Sequence, residues 1–201
     1  MNFHRRAAIL TFAAAFIAGP ALAQPAGLTL VRGTVTAVTA DNVTVKAKDG
    51  KKTTVTLVKG WTVAVMKPIT VDAIQEGSFI GTAEMPQADG TGKSLEVHVF
   101  PPGVKMGEGH YDWNLKKGSM MTNGTVGKVV KSKNGQEMEV AYSYGTRKIT
   151  VPKRVPIVQI TGGDKAMIKP GVGVFMVAQS TANGLVSNAI STGEKGKMPA
   201  M

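Results

Sequence analysis

The sequence predicts an all-β chain on three observations. Short β-branched runs alternate between apolar and polar residues, turn dipeptides separate those runs, and the same order of features occurs twice along the chain. In the first half, LTLVRGTVTAV over residues 28–38 alternates, and so does NVTVKAK over 42–48. Asp49-Gly50, a hairpin turn signal, leads into KTTVTLV over 52–58. A further strand is predicted over Trp61–Met66, one helical turn over Thr70–Gln75, and closing strands over Ser78–Met85 and Ser94–Phe100.

The second half repeats this order. Gly33-Thr34-Val35 matches Gly124-Thr125-Val126 at an offset of 91. Ala73–Gly77 matches Met167–Gly171, and Asp89-Gly90 matches Asn183-Gly184, both at an offset of 94. Asn134-Gly135 adds another hairpin signal. The expected architecture is two tandem small OB-like β-barrels, each with about six short strands and one helical turn. The first spans residues 24–100 and the second 124–192, with a connecting clasp over 101–123 and a flexible tail over 193–201. The helical turn plugs a barrel end, and the glycine after it leads into the next strand.

The N-terminus reads as an export signal. MNFHRR is a basic start, residues 7–19 form an apolar run, and Ala21-Leu22-Ala23 is a cleavage pattern, so residues 1–23 are the expected signal peptide. The expected address is a bacterial periplasm. The apolar run is shorter than the ~20 residues of a bilayer span, and no later stretch approaches that length. The chain has no cysteine, which removes disulfides and thiol chemistry. After cleavage, 22 basic and 13 acidic residues remain, and residues 124–201 hold 11 of the basic and 4 of the acidic ones. That balance points to an anionic envelope surface or an envelope protein as partner, or to a solvated face. Nucleic acid is not expected, because export separates the protein from it.

The sequences VRGTVTAVTADNVTVKAKDGKKTTVTL, DAIQEGSFIGTAEMPQADGTGKSLEVHVFPPG and GEGHYDWNLKKGSMMTNGTV together resemble a family of secreted bacterial proteins with OB-like domains of unknown function. The resemblance covers essentially the whole mature chain and is most specific in the central segment. Some members of that family carry the automatic label "metal ABC transporter permease". The resemblance implies an OB-like fold and brings no catalytic residues with it.

Chemistry concentrates around the centre. Glu96-Val97-His98 and Glu108-Gly109-His110 lie twelve residues apart, with Asp112 following. On an extended strand Glu96 and His98 share a face, with Leu95, Val97 and Val99 turned to the core. A loop folding back would bring His110, Glu108 and Asp112 beside them, a first shell for zinc, nickel, copper or non-haem iron. The competing explanation is the solvent face of an edge strand beside a hydrogen-bonded loop histidine. Met120 and Met121 offer soft thioethers near this segment, while Met138, Met167 and Met176 suit core filling. Tyr111 and Trp113 either stack on a ligand or anchor the segment between the barrels. Tyr142 and Tyr144 are expected on the core side of their strand. Enzyme signatures are missing: there is no Gly-x-Ser-x-Gly elbow, phosphate loop or His-Glu-x-x-His, and a hydrolase would rest on Glu108 or Asp112 alone. The leading expectation is therefore a non-enzymatic periplasmic binding or adaptor protein. The alternative is a metal-binding accessory protein or chaperone using His98 and His110.

Overall fold

The computed structural model describes residues 27–133 and 135–201. The expected signal peptide and Asn134 lie outside the described residues. The described chain is all-β, with twelve strands in one hydrogen-bonded sheet and three single-turn 3-10 segments. The strands are β1 (Leu28–Val38), β2 (Asn42–Lys46), β3 (Lys52–Pro68), β4 (Phe79–Pro86), β5 (Gly92–Val99) and β6 (Gly109–Trp113). They continue with β7 (Ser119–Ser132), β8 (Gly135–Tyr142), β9 (Gly145–Pro152), β10 (Ile157–Gly163), β11 (Gly173–Thr181) and β12 (Gly184–Gly193). The two expected helical turns are the 3-10 segments Val71–Ala73 and Lys165–Met167.

The sheet closes on itself as a β-barrel. β1 pairs with β2, β2 with β3, β3 with β12 in parallel, β12 with β11, and β11 returns to β1. The inward residues of this circuit, among them Val35, Val45, Val55, Val174 and Ile190, form one apolar core. A second circuit runs β7–β8–β9, then β5 in parallel, then β4 and back to β7. It encloses Ile80, Val97, Val140 and Ile149 with their neighbours. The far half of β3 pairs antiparallel with β10, centred on Met66 opposite Ile160, and joins the two circuits.

The pairing does not follow the expected division at residues 101–123. Strands β4 and β5, from the first half of the chain, close the circuit of β7–β9; β11 and β12, from the second half, close that of β1–β3. Hydrophobic alternation specifies which face of a strand is buried but leaves its neighbour open, so either pairing satisfies the same pattern. The two strands expected over 52–58 and 61–66 are one continuous strand, β3, with Gly60 at φ 83° inside it. The central segment is not a loop throughout, since it contains β6 and the start of β7. Residues 193–201 also depart from a flexible tail: Pro199 is buried and Arg32 Nε donates to the Met201 carbonyl oxygen at 2.6 Å.

Candidate functional site

Strands β5, β4, β7 and β6 lie side by side, and their registers decide which side chains meet. Directly opposed residues share a face. Thr82 faces Thr122, which faces His110, and Glu84 faces Met120, which faces Asp112. Gly81 lies between His98 and Asn123, and Ala83 between Glu96 and Met121, with Tyr111 next to Met121. Alternation therefore sets His110 and Asp112 on one face, and Glu96, His98, Tyr111 and Trp113 on the other.

On the first face Glu84 is fully buried, and Arg147 reaches it from β9, Nε to Oε1 at 2.7 Å. The same guanidinium donates to the carbonyls of Gly90 and Thr91, tying the β4–β5 turn to β9. The Glu84 carboxyl lies against Gly92, where a Cβ would overlap it. Burial pushes the Glu84 carboxyl up, and Arg147 opposes that. His110 Nδ1 lies 2.8 Å from Thr122 Oγ1, and its ring stacks on Tyr142. Burial, with Arg147 adding, pulls this imidazole down to about 4. The ring is neutral at physiological pH, so its 3.9 Å approach to Glu84 is not an ion pair. The Tyr144 hydroxyl accepts from the His110 N–H at 2.6 Å and donates to its carbonyl. Tyr144 itself is 52% exposed, unlike the core position expected for it; it stands in the β8–β9 turn, past the end of the alternation. Tyr142 is half-buried, and burial raises its hydroxyl.

On the second face Glu96 and His98 are each 1% exposed. Glu96 Oε2 lies 3.1 Å from His98 Nδ1, and its Oε1 accepts from the Ala83 N–H at 2.8 Å. His98 and Asn123 lean across Gly81, where a Cβ would strike both side chains. Asn123 Nδ2 donates to the Gly107 carbonyl and the Tyr111 hydroxyl, which fixes the approach to β6. Burial, with Tyr144 adding, pushes the Tyr111 hydroxyl up to about 12. Trp113 is buried against Phe175 of β11, and the Arg32 guanidinium lies over both rings, 5.8 and 5.0 Å from their centres. Burial lowers Arg32, and the charge of Glu96 opposes that. Tyr111 and Trp113 thus seat β6 between the two circuits, with Met121 and Ala83 in the same apolar cluster.

The expected metal shell does not assemble. Glu96 and His98 converge, but His110 and Asp112 are on the opposite face, and Glu108 and Asp112 are exposed. Among the described residues no three histidine, aspartate or glutamate side chains come together. Neither do Glu96 and His98 form the solvent face of an edge strand. β5 is paired on both sides, and a bulge between Ala83 and Glu84 turns Leu95 toward the Trp113 cluster rather than into the core of its circuit. Met120 and Met121 are both buried and on alternate faces. Met138 and Met176 fill cores, whereas Met167 is 47% exposed. Glu84, Arg147, Thr122, Asn123 and Arg32 carry these clusters and were not singled out from the sequence. Glu84 and Arg32 did carry a local signal, a lone charge inside an apolar run; Thr122, Asn123 and Arg147 carried none.

The remaining chemistry is surface charge. Residues 27–68 and 163–201, which supply the β1–β3, β11–β12 circuit, hold 11 basic and 4 acidic residues; residues 69–162 hold 11 and 9. The excess therefore does not belong to residues 124–201 as a unit. All ten lysines of the basic circuit are exposed, and among the described residues none lies within 4.0 Å of a carboxylate. Comparison with protein-family models, curated proteins and solved structures finds no match.

Proposed function

We propose that this chain is an exported, non-enzymatic binding or adaptor protein whose basic circuit engages an anionic partner in the bacterial envelope. The observation that carries the reading is the set of ten exposed, carboxylate-free lysines on one circuit, beside a second circuit of nearly balanced charge. Such an excess of exposed positive charge raises the local concentration of anions and speeds their association. The buried carboxylates support a non-catalytic role, because each is held by a partner within the protein: Glu84 through Oε1 by Arg147, and Glu96 through both oxygens by His98 and the Ala83 amide. Export rests on the signal-like residues 1–23.

In this reading each closed circuit is an OB-like barrel, five strands with a 3-10 turn before the fourth, and the two arose by duplication with exchange of their last two strands. Matching registers support it. Val31 opposite Met176 and Thr122 opposite Thr82 are related by the offsets of 91 and 94, and Met66 and Ile160, 94 apart, pair with each other. The test is co-sedimentation of residues 24–201 with phosphatidylglycerol vesicles and capture of envelope proteins, at low and high salt. Salt-sensitive binding lost in Lys165→Glu/Lys169→Glu/Lys46→Glu supports the reading; no binding to either supports abandoning it.

A further inference from the structure

Successive residues of an antiparallel strand turn their N–H and C=O groups alternately to the two neighbouring strands. In β1, Gly27 accepts from the Ser180 N–H at 2.6 Å and Val35 donates to the Val172 carbonyl at 2.8 Å. The odd-numbered residues from Gly27 to Val35 thus bond on the β11 side, and Leu28, Leu30 and Arg32 point their backbone groups the other way. On that side β2 joins only from Thr34 onward. Among the described residues, the backbone groups of Leu28, Leu30 and Arg32 have no backbone partner there.

The corresponding edge of the other circuit is filled. At the offset of 91, Leu28, Leu30 and Arg32 correspond to Ser119, Met121 and Asn123 of β7, which pair with Trp113, Tyr111 and Gly109 of β6. The protein therefore shows, in its own β6, what a strand on this edge looks like. The start of β6 is gripped by the turn after β8, through Tyr144 and the His110 backbone. The turn in the same place on the basic circuit is the β2–β3 hairpin, which carries Lys46, Lys48, Lys51 and Lys52. Lys46 and Lys52 are directly opposed, an unfavourable pair that a bound anion would relieve. The hairpin's single acid, Asp49, is engaged by the Lys51 N–H at 2.9 Å. An open groove of about 760 Å³ lies at this junction, lined by Arg32, Gly33, Thr34, Lys46, Lys48 and Met198 among others.

We infer that the free edge of β1 is a β-augmentation site for an extended segment of a partner protein, acidic at its N-terminal end, which adds antiparallel to Leu28–Arg32 as β6 adds to β7. Main-chain hydrogen bonds to Leu28, Leu30 and Arg32 supply affinity, and the hairpin lysines select acidic residues at the end beside them. The inference rests on the binding-protein reading above and names its partner class. A lipid surface offers the charge without the strand.

Two measurements on residues 24–201 test it: amide hydrogen exchange by NMR, and anisotropy of a fluorescein-labelled octapeptide with two glutamates followed by alternating valine and threonine. In the free protein the Leu28, Leu30 and Arg32 amides exchange fast while Thr29 and Val31 are protected, and the peptide slows the first set. Leu30→Pro removes an edge N–H while leaving the β11 bonds, and weakens the peptide by about tenfold or more. Leu28→Pro, at the first strand residue, repeats the test should Leu30→Pro fold poorly. Lys48→Glu/Lys51→Glu weakens binding by a similar factor, more so at low salt. Protection of the three amides in the free protein at all concentrations overturns the inference, since the edge is then already covered. Protection that disappears on dilution gives the edge to a second copy and overturns it too. Peptide binding lost on charge reversal but unchanged by either proline leaves the anionic-partner reading standing and removes the edge. Failure to bind both the peptide and phosphatidylglycerol vesicles removes both.

Discussion

Arg147 holds a carboxylate that no water reaches, and its loss would leave Glu84 buried and unpaired. Arg147→Met is expected to cost about 3–5 kcal/mol in denaturant unfolding, whereas the double change Glu84→Met/Arg147→Met recovers much of it. Lys131, paired at 2.8 Å with Asp72 between two exposed side chains, offers the contrast: Lys131→Ala should cost about 0.5 kcal/mol or less. His110 makes a pH prediction. Its folded value of about 4 lies below its ordinary 6.5, so the folded state keeps the ring neutral while the unfolded chain takes up a proton first. The stability this confers is complete above about 6.5 and is lost as pH falls from there through about 4, a change on the order of 2 kcal/mol. Glu84, whose carboxyl is raised, acts in the opposite direction, so the readout is the difference between wild type and His110→Gln. The wild type should lose more stability on acidification; equal losses would remove His110 from the account. At this scale the sequence was partly legible. An i, i+2 spacing does place Glu96 and His98 on one face, but their burial depends on β6 and β1, which spacing along β5 cannot report.

β6 shows what an element can do when only five residues long. It pairs along β7 and presents Trp113 to Phe175 and Arg32, so it links the two circuits from outside both. Trp113→Ala should destabilise the protein by about 3–5 kcal/mol, measured by thermal or denaturant unfolding, while Leu115→Ala at the rim of the same cluster costs less. The aromatic placement in the central segment was enough to expect an anchor there. The strand that carries it was hidden because Gly107, Gly109 and Gly118, all at positive φ, break the alternation on either side. The bulge in β5 is the converse case. One extra residue moves Leu95 off the face that simple alternation assigns, and nothing in Ser94-Leu95-Glu96 marks the insertion.

Across the whole molecule, the basic surface exists only because distant parts of the chain meet. The lysines of residues 46–67 join those of 165–197 when β12 lies parallel to β3 and β11 closes on β1. The all-β class and most strand and turn positions could be read from periodicity and glycine-containing turns. The pairing of β4 and β5 with β7–β9, and of β11 and β12 with β1–β3, could not, since each strand presents the same apolar face to either partner. The chain passes between the circuits twice, through the β3–β4 connection over residues 69–78 and through β10 between β9 and β11. The most direct test is whether the halves fold apart. Residues 24–100 and 101–201 are expressed separately and together, and each sample is followed by amide NMR dispersion and denaturant unfolding. The exchanged pairing predicts that either half alone is unfolded or aggregates, and that the two together recover one cooperative transition. A half comprising residues 24–100 that folds alone, with dispersed amides and its own transition, would contradict it and restore a tandem arrangement.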